Sequence, residues 1–92
     1  SSLDLLKGFL DCRCEITHDL SDFIAVSELY DEYSRWLKRS YHYAEPLAKN
    51  DFSRKIRERF TQRVEPREKE MIGGKPVRVL HGICWLETLD TD

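Results

Sequence analysis

No apolar run in this 92-residue chain approaches the ~18 residues that a membrane-spanning helix needs. Nor does a basic-then-apolar start mark a signal peptide. Cysteine is scarce and odd in number, at positions 12, 14 and 84, so no closed disulfide framework is expected. Cys12 and Cys14 are too near each other to staple distant segments, and an intracellular, reducing setting, cytoplasm or nucleus, is the natural reading. Repeats, low-complexity tracts and linkers long enough to divide domains are absent, so residues 1–92 are expected to form one domain. The chain opens Ser1-Ser2-Leu3 with no methionine, which reads as a module excised from something larger.

Constellations for chemistry are missing as well. "GGKPV" lacks the G-x-x-x-x-G-K-[ST] spacing and the helix that a phosphate loop requires, and reads as a hairpin turn. Cys12, Cys14 and His18 can be imagined around zinc with His42 or Cys84, but C-x-C is not the usual C-x₂₋₄-C, and buried or half-buried thiols are the simpler reading. His81 falls in a strand pattern, where a packed or surface role is expected. With no general acid–base pair in sight, no catalytic activity, metal or cofactor is expected of the isolated domain.

What is present is a soluble-domain composition, 40% hydrophobic and 35% charged, with an uneven charge distribution beneath a net −2. Residues 1–48 carry 5 basic and 9 acidic side chains, residues 49–78 carry 10 and 5, and residues 79–92 carry none and 3. Polyanion contact depends on the local field, because salt screens charges beyond about 8 Å. The central +5 stretch is therefore compatible with a DNA footprint.

Hydrophobic spacing gives the elements. Leu3, Leu6, Phe9 and Leu10 form one helical stripe with Ile16 after it, and Ser2 and Asp4 suit its N-terminal end. "THDLSD" is a polar break. "FIAV" at 23–26 predicts a brief strand. Ser27 then caps a helix with Leu29, Tyr33, Trp36 and Leu37 on its core face and Tyr30 at the edge. Pro46 closes that region. Tyr41 and Tyr43 flank His42 in the loop and offer their rings to bases, to a partner or to the edge of the core. The stretch "PLAKNDFSRKIRERF" predicts a third helix over about 51–61, capped by Asn50 or Asp51. Its buried stripe is Phe52, Ile56 and Phe60, with the stem of Arg59 packed nearby. Gly73-Gly74 then joins two antiparallel strands, the second alternating through Val77, Val79, His81, Ile83 and Trp85. The tail "TLDTD" is acidic.

Helix, short strand, helix, turn, helix, hairpin is the order of an α+β winged helix-turn-helix with a C-terminal β-hairpin wing. In that plan the third helix is apolar where it packs and polar or basic where it meets DNA. The candidate DNA-contacting residues are Asn50, Arg54, Lys55, Arg57 and Thr61 on the helix, with Lys75 and Arg78 on the wing. Glu58 lies on the same helical face, where it repels phosphate unless it accepts from a cytosine amino group.

Between residues 3 and 86 the chain also resembles the C-terminal winged-helix domain of phage, plasmid and poxvirus-type primase–helicases. "FLDCRCEI", "VSELYDEYSRWL", "PLAKNDFSRKIRERF" and "HGICW" carry the likeness, with Pro46, Leu47, Phe52 and Ile56, then His81, Gly82 and Ile83, at the recurring positions. The segment "VEPREKEM" departs from the usual basic wing in being mixed in charge. The resemblance implies a DNA-binding accessory module in a viral or mobile-element replication protein, with a superfamily 3 helicase upstream and replication proteins or other helicase-ring subunits as partners. The acidic net balance, mixed wing and acidic tail keep a second reading open, a winged helix that assembles such a complex without touching DNA.

Overall fold

A computed structural model describes residues 2–41, 44–60 and 69–86, without the side chains of residues 2–4 and 60. Among the described residues, three helices and five short strands follow one another as a helix, two strands, two helices and three strands. α1 (Ser2–Arg13) turns Leu6, Phe9 and Leu10 into the core. It is followed at once by β1 (Cys14–Ile16), a strand where the sequence suggests only a trailing Ile16. β2 (Phe23–Ala25) occupies the expected apolar run.

α2 (Val26–Ser40) buries Leu29, Tyr33 and Leu37. Its cap position is Ala25, with no side-chain hydrogen bond, rather than Ser27. Trp36 is half-buried and packs at the rim of the core, against Phe9 at 5.8 Å and Tyr41 at 5.7 Å between ring centres. Tyr41 therefore covers the core edge, while His42 and Tyr43 lie outside the described residues. α3 (Lys49–Phe60) begins two residues earlier than expected, with the Phe52 amide donating to the Ala48 carbonyl at 2.9 Å.

Two antiparallel sheets complete the domain. In the first, the order is β2-β4-β3, where β3 is Lys69–Ile72 and β4 is Lys75–His81. Gly73 and Gly74 both take positive φ, 61° and 81°, as the tight turn between β3 and β4 requires. Ile24 faces Leu80 in this sheet, and both are buried in the helical core. Val79, which alternation directs to the opposite face, is also buried yet lies outside that core cluster.

The second sheet pairs β1 with β5 (Ile83–Trp85), setting Cys14 opposite Trp85 and Ile16 opposite Ile83. The sequence reads 77–85 as one alternating strand. Gly82, at φ 81°, divides it. Its carbonyl accepts from Thr17 (2.8 Å) and His18 (3.2 Å), and its amide donates to the Asp22 carbonyl (2.9 Å). The polar break is thus a loop laced onto the junction between the sheets.

Candidate nucleic-acid interface

The seat of α3 is fixed by two tyrosines of α2. Tyr30 donates its hydroxyl to the Leu47 carbonyl at 2.7 Å, and the Leu47 amide donates to the Tyr33 oxygen at 3.1 Å. Both polar groups of one linker residue are thereby satisfied, which sets where the third helix starts. Burial raises the Tyr33 phenol above its ordinary pKa, opposed by the Leu47 amide. Below it, the Tyr33 and Phe52 rings stand 4.8 Å apart and Tyr30 meets Phe52 edge-on at 5.2 Å.

With Phe52 at 0% and Ile56 at 1% exposure, the inward stripe of α3 follows the spacing. Asn50, Arg54 and Arg57 are exposed on the arc that the helical period sets opposite, and Lys55 beside them is half-buried. Arg54 is held by Asp51 at 2.9 Å, one turn back, so part of its charge is neutralised on its own helix. Arg57 makes no ion pair among the described residues. Glu58 and Arg59 are exposed too, so the Arg59 stem is not packed away as expected. Thr61 and the Phe60 side chain lie outside the described residues. Sequence reasoning missed Lys49, whose ammonium sits 5.8 Å from the centre of the Tyr30 ring.

Lys75 and Arg78 are both exposed, but alternation sends them to opposite faces of the hairpin. Arg78 is paired in register with Lys69, and Lys75 with Ile72. Lys69 is a second omission of the sequence reading; the signal for it was the distance from the Gly-Gly tip, which fixes register.

His81 ends β4 with a side chain 6% exposed. Its Nδ1 lies 3.0 Å from the Leu20 carbonyl, and its Nε2 lies 3.3 Å from Glu70 Oε2 without the alignment of a hydrogen bond. This packed histidine ties the 17–22 loop to the hairpin. In the same loop, Asp19 accepts from the Ser21 amide (3.0 Å) and hydroxyl (2.8 Å), which lowers its pKa.

Elsewhere, Arg13, Glu28, Glu32, Trp85 and Leu86 line a shallow cleft of about 330 Å³. Glu32 receives Arg35 at 2.6 Å and Arg13 at 3.5 Å. Among the described residues no three His, Cys, Asp or Glu side chains converge as metal ligands. Cys12 is exposed and Cys14 buried. Also among the described residues, no helix is long and apolar enough to cross a membrane. Compared with protein-family models, curated proteins and solved structures, the chain finds no match.

Proposed function

We propose that this chain is a winged helix-turn-helix module that contacts duplex DNA through α3, as an accessory domain of a viral or mobile-element replication primase–helicase. The observation that carries the reading is the division of α3. Phe52 and Ile56 are buried, while Asn50, Arg54 and Arg57 stand exposed opposite them. The order of α1, β2, α2, α3 and the β3–β4 hairpin supports the fold, since β2 joins that hairpin in one sheet. β1 and β5 are additions to the plan. The primase–helicase parent rests on the resemblance of the sequence motifs.

A helix of this kind reaches phosphates with its cations and base edges with one or two polar side chains. Three to five phosphate contacts give the fragment weak, salt-sensitive binding, on the order of 10⁻⁴–10⁻⁶ M. Assembly into a ring raises the avidity without new contacts. The test is Arg54→Ala with Arg57→Ala, which leaves the buried stripe intact. Duplex binding at low salt is expected to fall several-fold or more, and its salt dependence to flatten. Binding equal to the parent chain sinks α3 as the reading head.

A second reading is favoured by the Arg54–Asp51 pair and by Glu58 on the same arc. In it the winged helix assembles a replication complex through protein contacts alone. Absence of duplex binding by the parent chain at low salt selects this reading.

A further inference from the structure

Three elements meet at the shallow cleft, and each brings a different chemistry. α2 contributes Glu28 and Glu32, one turn apart and therefore on one side of the helix. β5 contributes Trp85, followed by Leu86. The Leu86 amide donates to the Arg13 carbonyl at 2.9 Å, which fixes this apolar wall to the end of α1. Arg13 lines the cleft from that end.

The two carboxylates are in different situations. Glu32 takes Arg35 at 2.6 Å and Arg13 at 3.5 Å. Glu28 is exposed and makes no ion pair or hydrogen bond among the described residues. Its place in the first turn of α2 suits a carboxylate but makes no demand on what faces it. Trp85 is half-buried against the core, and among the described residues neither a ring nor a cation stacks on it, whereas the Tyr30 ring has Lys49 over it. An indole and a carboxylate, each without such a partner, thus border one concavity.

We infer that this cleft recognises an arginine side chain of a partner protein, with the guanidinium between the Glu28 carboxylate and the Trp85 ring and its aliphatic stem along Leu86. A volume of about 330 Å³ lies at the low end for ligand clefts, about 300–1,000 Å³, and suits one long side chain better than a cofactor. An anion fits poorly, because two carboxylates line the cleft and Arg13, its one cation, is already drawn to Glu32. Arginine fits better than lysine. A guanidinium is flat and weakly hydrated, so it stacks on an indole while its edge donates to a carboxylate. Glu32 displays the same preference within the chain, since two guanidinium groups converge on it. Tryptophan and arginine are also the residue types that most often anchor protein contacts. The cleft shares no residue with α3 or the hairpin, so the inference stands apart from the DNA-binding reading.

The probe is a capped pentapeptide, Gly-Ser-Arg-Ser-Gly, with twins carrying citrulline or lysine at the centre. Citrulline keeps the shape of arginine and drops its charge. Binding is followed by NMR through the two indole N–H signals, with Trp85 as reporter and Trp36 as control. The Trp85 signal is expected to move with the arginine peptide while Trp36 stays in place, to move less with lysine, and to stay in place with citrulline. Glu28→Gln is expected to weaken binding several-fold. Asp31→Asn removes an equal charge from the same helix outside the cleft and is expected to have a much smaller effect. Trp85→Leu, followed through the Leu86 amide, is expected to erase the preference for arginine over lysine. A motionless Trp85 signal, or equal affinity for either twin, overturns the inference. Equal weakening by Asp31→Asn and Glu28→Gln also overturns it, and assigns the attraction to the acidic field of α2 as a whole. None of these outcomes bears on α3, whose own test lies at Arg54 and Arg57.

Discussion

Cys12 and Cys14 are two residues apart and differ in reactivity because the chain changes from helix to strand between them. Cys12 faces water on the last turn of α1, whereas Cys14 opens β1 inside the core. Burial raises the Cys14 pKa from 9.0 to about 12, against the lowering influence of neighbouring Arg13. Since the thiolate is the nucleophile, Cys14 in the folded chain holds about a thousandfold less reactive form near pH 8 than an ordinary thiol. Alkylation followed by peptide mass mapping is expected to label Cys12 readily and Cys14 only after denaturation. The same shift has a sign for stability. The unfolded thiol ionises from about pH 9 and the folded one only near 12, so this contribution is complete below 9 and declines as pH rises between the two. Denaturant midpoints measured across that window are expected to fall, and to fall less in Cys14→Ala. Equal early labelling of both cysteines would show that β1 is not closed over the core.

At the level of elements, α1 carries one position that has not been used for stability. Gly8 sits mid-helix beneath the Trp36 ring, and a Cβ there would meet Trp36 Cη2 at 3.5 Å, an ordinary van der Waals contact. Gly8→Ala is therefore expected to raise stability by about 0.5–1 kcal/mol through helix propensity, read from urea unfolding. A loss of stability would mean that Trp36 is pushed off Phe9. Helices were the legible part of this sequence, because their spacing is local: Leu29, Tyr33 and Leu37, or Phe52 and Ile56, announce a buried stripe without reference to anything distant. Gly73-Gly74 announced its hairpin for the same reason. β1 was not legible, since three residues with no turn signal ahead of them become a strand only by meeting Ile83–Trp85 far along the chain. The interface divides likewise. That α3 exposes Asn50, Arg54 and Arg57 could be read from the helical period, whereas the exposure of Arg59 and the partial burial of Lys55 could not. The pairing of Arg78 with Lys69 instead of Lys75 depends on register and pleat, and the Arg54–Asp51 ion pair on side-chain geometry one turn apart.

For the molecule as a whole, Gly82 is where two sheets, the 17–22 loop and the end of the hairpin come together. Positive φ is required there, and an added Cβ would stand 3.4 Å from the His18 backbone, which cannot move aside as a flexible side chain can. Gly82→Ala is expected to cost about 1–3 kcal/mol. The same change at Gly74, where an added Cβ meets nothing within 4 Å, isolates the backbone strain alone. Equal losses in the two would show that the loop is not braced on residue 82. The β1–β5 ladder also has a mechanical meaning. Its three pairs run Cys14–Trp85, Glu15–Cys84, Ile16–Ile83, with the Leu86 amide donating to the Arg13 carbonyl at its outer end. Tension on the chain beyond Leu86 therefore loads these bonds one after another, as a zipper is opened, and never all together in shear. Peeling would run back to Gly82 and meet resistance there, because β4 is held by a neighbour on either side. Of the described strands β5 is thus a tear strip, whose release draws Ile83 out of the core.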